Sequence, residues 1–345
     1  MLRHPGARRL ITTLGLPVRL GLAGLPDWLG DGSLSLTAQV AAAPGRVTIN
    51  SFDLTAAALC ANGKVALSLD ANQPRLTGAI SITTLPMPDP SGASDAPLPL
   101  AILRGWQAEL HIEVGNLFTN YQPVLRDAAA SLTLANGVLH IDQFVGKLGS
   151  GMLSGGGVFD SMAEPPALHL QAKLNDASID GPLDDAPIDL LSGHITGRLE
   201  VGGTGFSPSA IVATLTGQMT AAVTNGVLTG FDLFRVKRAA ANADRAAAGE
   251  AMGSGVTDFE RLDLDATVAH GDLALTTGSL SATAGTADIT GHLGLLSQAI
   301  DLRVVMHPAV TDPPEIALRL SGSIDHPNRT LELSGLSRWL AEHAP

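Results

Sequence analysis

The residues best able to move a proton or hold a metal near neutral pH are ten histidines. His111, His140, His169 and His292 fall in runs that alternate apolar and polar residues, each at a polar position. No two histidines stand four apart on a helical run around a carboxylate, the spacing that gathers zinc on one helix face. A solvated strand face accounts for them. The acidic groups Asp176 with Asp180 and Asp184 with Asp185 sit among prolines and glycines. There, carboxylates more often shape turns than act as general acid and base. The glycine clusters also fail as phosphate cradles. Gly203-Thr204-Gly205 meets Pro208 where a third glycine belongs, and Gly155-Gly156-Gly157 opens a strand-like run, so it brings no helix N-terminus to a phosphate. No P-loop and no nucleophile elbow is present. Asn328-Arg329-Thr330 matches a glycosylation sequon by chance. A single cysteine, Cys60, excludes an intramolecular disulfide and a multi-cysteine metal site, and reads as a small buried residue. The expectation is a protein that is not an enzyme and takes no cofactor or metal.

What must position side chains without such chemistry is a frame rich in strands. Of the 345 residues, 45% are hydrophobic but only 3% aromatic, so aliphatic residues build the interior. Thirty-eight glycines and 21 prolines suit many short strands joined by tight turns. The net charge of −12 repels polyphosphate, and nucleic acid is excluded as a partner.

At the N-terminus, Arg3, Arg8 and Arg9 precede an apolar stretch from Leu10 to Val18. It is shorter than the roughly 20 residues a membrane-spanning helix needs. Leu10, Leu14, Val18 and Leu22 would share a helix face, so residues 1–30 read as a helical segment of a longer protein whose beginning is absent. From residue 31 the period is two, as in Val65-Ala66-Leu67-Ser68-Leu69 and Leu262-Asp263-Leu264-Asp265. Four turn signals lie between alternating runs: Asn62-Gly63, Asn136-Gly137, Asn225-Gly226 and His270-Gly271. Each reads as a hairpin turn. Internal matches point to stacked hairpin units. Gly151 and Gly157 frame one strand as Gly285 and Gly291 frame another, and Leu199 to Pro208 lines up with Leu318 to Pro327. Two helices are expected: a short one over 117–127, and an alanine-rich one over 231–251 ended by Gly253-Ser254-Gly255. Arg235, Lys237, Arg238 and Arg245 give the second a basic side, either solvated or turned to acidic lipid headgroups. Residues 86–99, with five prolines, read as a linker. The expected domains are thus 1–30, a first β-repeat region 31–85, the linker 86–99, and a β domain 100–345.

The order of several blocks resembles the C-terminal region of the AsmA family. They are Leu132 to Ile141 followed by Gly149 to Gly155; Leu191 to Gly197 and Gly203 to Pro208; Leu215 to Gly217; Asn225 to Leu233; Thr257 to Phe259; and the closing strands Gly291 to Leu302 and Gly322 to Pro327. The match covers about residues 100–335, with a looser echo over 31–85. It departs from the family in lacking an N-terminal membrane anchor.

The resemblance implies a mainly β protein: an elongated, curved antiparallel sheet of stacked hairpins, groove-like, with one or two short helices. It implies a place in the bacterial cell envelope, associated with the inner membrane and facing the periplasm, attached through the missing N-terminal anchor. The expected role is outer-membrane biogenesis, by carrying or shielding phospholipid acyl chains in an apolar β-groove. Leu132, Leu134, Leu139, Ile141, Val201 and Ile289 are the candidate groove lining. The alternative is a structural or regulatory envelope protein that affects protein targeting to, or assembly in, the outer membrane through contact with assembly proteins.

Overall fold

The computed structural model describes residues 2–6, 9, 32–57, 59–69, 73–86, 94–119, 122–181, 188–242 and 244–343. The helix expected over residues 10–22, Asp184, Asp185 and residues 87–93 of the proline-rich run lie outside them. The chain is mainly β, with eighteen strands and five short helices among the described residues. None of these helices is long and apolar enough to cross a membrane.

The chain divides into two compact units. The first comprises residues 1–148, 152–172 and 202–211. Its strands are β1 (Leu2–His4), β2 (Leu34–Ala43), β3 (Arg46–Ala56), β4 (Leu59–Ser68), β5 (Arg75–Pro86), β6 (Gln107–Thr119), β7 (Gln122–Ala135) and β8 (Val138–Leu148). Each pairs with the next. All these pairings are antiparallel except that of β5 with β6, which is parallel. The hairpin pattern is broken there because the proline-rich run and helix α1 (Leu100–Gly105) carry the chain back before β6 starts, as a parallel pair requires.

The second unit comprises residues 149–151, 173–201 and 212–345. Strands β9 (Gly151–Asp160), β10 (Ala167–Asp180) and β11 (Leu190–Thr204) contribute residues to both units, and helix α2 (Pro208–Ala213) follows. Then come β12 (Thr216–Thr229), α3 (Leu233–Ala241), α4 (Arg245–Ala251), β13 (Val256–Ala269), β14 (Asp272–Ala282), β15 (Gly285–Gly294), β16 (Ala299–Pro308), β17 (Ile316–Ser323), β18 (Asn328–Glu332) and α5 (Ser334–His343). From β12 to β18 each strand pairs antiparallel with the next. The glycine-framed runs are strands β9 and β15, as their spacing predicts.

Several local expectations are corrected. Asn136-Gly137 and His270-Gly271 do turn hairpins, with φ of 52° and 80° in the first and 53° and 75° in the second. The other two signals lie inside strands. Asn225, at φ 51°, lies where the β12–β13 ladder lapses between Thr224 and Gly226, with the same register on either side. Gly226 leaves room where a Cβ would stand 2.3 Å from the Phe259 ring. Gly63 similarly allows β4 to approach the Ala79 carbonyl, 2.3 Å from where a Cβ would sit. Left-handed tolerance and close approach have uses inside strands as well as in turns. The described residues of 117–127 form no helix: they lie in β6 and β7, with Leu117 opposite Leu125. The helix over 231–251 is two helices. Asp232 caps the first by accepting from the Arg235 amide at 2.8 Å, and Asp244 restarts the chain by accepting from the Ala247 amide at 3.0 Å. Asp176 and Asp180 are on strand β10 rather than in a loop, and Cys60 is half-buried on β4.

Each unit has its own core. In the first, Leu34, Ala56, Leu59, Leu85, Val114, Leu125 and Ala128 cluster at one end of the strands. In the second, α3, α4 and α5 lie against the apolar sheet face: Leu233, Val236, Ala248, Ala251, Met252 and Leu336 are buried with Val304, Met306, Ile316 and Leu318. Thr257 ties α3 down, its hydroxyl donating to the Phe231 carbonyl and accepting from the Leu233 amide.

Candidate functional site: an apolar sheet face

Side chains of a strand alternate between faces, and directly paired residues share one. In the first unit the ladders therefore define rows running across the strands. One row runs Ile49, Val65, Gly78, Leu110, Leu132, Ile141, each paired with the next. The adjacent row runs Val47, Leu67, Leu76, Ala108, Leu134, Leu139. On the other side, Phe52, Gly63, Ile80, Ile112 and Ala130 are paired in turn. β2 extends the three rows with Val40, Ala42 and Ala38. No charged or hydrogen-bonding side chain interrupts them. The intervening positions carry the polar face, where Arg75 pairs with Glu109 at 2.9 Å and His111 stands 3.6 Å from Glu113.

The apolar face is unevenly covered. The strand ends holding Leu34, Val114 and Ala128 are buried. In the three rows, by contrast, Val47, Ile49, Val65, Leu67, Leu76, Ile80, Leu110, Leu132, Leu139 and Ile141 are only half-buried, and Val40 is 60% exposed. Helix α1 packs against β8, and residues 208–211 of α2 also belong to this unit. Seven strands spaced about 4.8 Å apart make the rows roughly 29 Å long. A single leaflet's chains fill about 15 Å of a bilayer's hydrocarbon.

Four of the six sequence-derived lining residues come together here, as two facing pairs: Leu132 with Ile141 and Leu134 with Leu139. Leu134 is the buried member, 6% exposed. The other two belong to the second unit. Val201 is buried on β11, and Ile289 packs against the helix-covered core opposite Val304. The rows on β3 to β6 were not singled out from the sequence. Their signal was there in the alternation of Val65 and Leu67, but register across strands is what reveals them.

Electrostatics elsewhere are those of surface ion pairs. Arg319 holds the Asp301 carboxyl below its ordinary value by a hydrogen bond, and Lys147 does the same to Asp127. Glu315 and Glu332 raise the Arg303 guanidinium further. Burial lowers Arg329, whose guanidinium reaches the carbonyls of Gly230 and Met252. A depression of about 420 Å³ on the polar face of the second unit holds Lys173, Arg198, Arg261, Asp263 and Asp265, with Arg261 and Asp263 paired within it. Among the described residues no group of three or more His, Cys, Asp or Glu is placed to hold a metal.

Comparison with known proteins agrees with the resemblance read from the blocks. No curated protein and no solved structure gives a significant match. The family model described as the AsmA family matches residues 94–277, from the run before α1 through most of β14. That is more than half of the 345 residues, and the chain belongs to the AsmA family.

Proposed function

We propose that this chain is a non-enzymatic protein of the bacterial envelope that supports outer-membrane biogenesis by carrying or shielding phospholipid acyl chains on the apolar face of β2–β8. The observation that carries the reading is the set of three uninterrupted apolar rows left largely half-exposed. A globular core would bury such rows, since each methylene withdrawn from water is worth about 0.8 kcal/mol. Acyl chains laid along them gain the same stabilisation. Family membership supports the envelope setting, at the inner membrane and facing the periplasm.

The test is mass spectrometry of lipid extracted from the purified chain, beside an unrelated β-rich protein. Near-stoichiometric phospholipid is expected, and lost in the pair Leu110→Asp and Leu132→Asp with the β-sheet circular dichroism unchanged. A folded double variant that keeps its lipid defeats the idea.

A second reading draws on the other unit, whose apolar face is already covered by α3, α4 and α5. A filled body of that kind suits a structural or regulatory envelope protein acting by contact with assembly proteins. Recovery of an assembly factor by a lipid-free variant supports it.

A further inference from the structure

Among the described residues, the outside of α3 and the start of α4 combine cations that make no ion pair with an exposed aromatic ring. Inward, α3 buries Leu233, Val236, Ala239 and Ala240. Outward it presents Phe234, Arg235 and Arg238, with Lys237 half-buried at their side and Arg245 exposed at the start of α4. Phe234 is 64% exposed, the most of any large apolar side chain among the described residues. Lys237 and Arg238 stand three and four positions after it, on the same side of the helix.

None of the four cations makes an ion pair among the described residues. Four strand arginines, Arg75, Arg261, Arg303 and Arg319, each face a carboxylate within 3.0 Å. Of the acids in this stretch, Asp232 and Asp244 accept from backbone amides as helix caps, and Glu250 lies near the end of α4. With Glu250 of α4 counted beside the two caps, residues 231–251 carry four cations against three carboxylates, a net of +1 in a chain of net charge −12, and the cations gather on the outer side around Phe234. Solvation alone accounts for the cations. It does not account for a phenylalanine placed among them, which costs free energy in water and gains it in the headgroup–acyl boundary.

We propose that the outer face of α3 and the start of α4 is a docking surface for an anionic phospholipid bilayer. The guanidinium and ammonium groups meet lipid phosphates while the Phe234 ring enters the interface. The proposal stands apart from acyl-chain binding by the first unit, since it uses no residue of the three rows.

The test is co-sedimentation of the full chain with vesicles of phosphatidylcholine, alone or mixed with phosphatidylglycerol, at low and high salt. Binding to the mixed vesicles is expected, absent from the neutral ones and weakened by salt. The triple variant Arg235→Gln, Lys237→Gln, Arg238→Gln should lose on the order of a hundredfold in affinity, roughly fivefold per cation. Phe234→Ser should weaken binding while keeping the salt dependence. Arg235→Lys with Arg238→Lys should bind as the parent does. The substituted side chains point outward, so circular dichroism should not change, and lipid co-purifying with the triple variant should match the parent's. Equal binding to neutral and anionic vesicles, binding unchanged in the triple variant, or a parent that ignores anionic vesicles and captures only acidic proteins each overturns the proposal.

Discussion

Single residues of this protein act through cross-strand neighbours rather than through sequence neighbours. Asp301 on β16 is two strands' worth of chain from Arg319 on β17, yet their side chains meet in two hydrogen bonds, one of 2.8 Å and one of 2.6 Å. Because Arg319 lowers the Asp301 carboxyl from its ordinary 3.8, the folded state binds that proton less readily than the unfolded chain. The pair's contribution is therefore complete above the ordinary carboxylate range and is lost as pH falls through the lowered value. Both groups are exposed, so the effect is small and sensitive to salt. Thermal melts of Arg319→Gln should fall below the parent at pH near neutrality, and the two should converge in acid. A gap that widens on acidification would contradict the assignment.

At the scale of elements, the two units use the same alternating strands for opposite ends. In the second, α5 closes over the sheet and its Leu336 is fully buried. In the first, Leu132 lies half-exposed on a row with no described helix over it. Leu336→Ala should then cost about 2–5 kcal/mol, because it opens a cavity in a packed core. Leu132→Ala should cost within about 1 kcal/mol, as for a surface position. Urea titrations of the two variants measure the difference directly, and equal losses would mean that the rows are as well covered as the helix-capped core. The alternation of Val65 and Leu67 revealed a strand with one apolar face, but it could not reveal whether that face is covered. The alanine-rich run at 231–251 likewise signalled helix, while its break into two depended on Asp244 finding the Ala247 amide. Residues 117–127 misled because a short apolar stretch with helical spacing fits a strand equally well, and pairing of Leu117 with Leu125 decided between them.

For the molecule as a whole, a ligand that binds only the folded state must raise its stability. Short-chain phospholipid, supplied at about a hundred times its dissociation constant, should add roughly 2.7 kcal/mol and raise the melting temperature of the parent chain. The Leu110→Asp, Leu132→Asp variant should show no such rise. The triple variant on α3 should show the same rise as the parent, because its changes lie outside the three rows. A parent protein whose melting temperature ignores lipid would remove the thermodynamic basis of acyl-chain carriage.

The sequence by itself determined the period-two strands, the mainly β class, the glycine-framed strands β9 and β15, two of the four hairpin turns, and the order of blocks that marks the AsmA family. These are local properties: alternation, turn chemistry and spacing are written in neighbouring residues. Only the tertiary structure decided which faces lie in register, because pairing Leu110 with Leu132 or Ile49 with Val65 joins residues far apart in the chain. It also decided where the helices fall. Placing α3, α4 and α5 over one apolar face and leaving the rows of β2–β8 half-exposed depends on long-range packing that alternation cannot encode, since a filled core and an open lipid-binding face call for the same aliphatic residues.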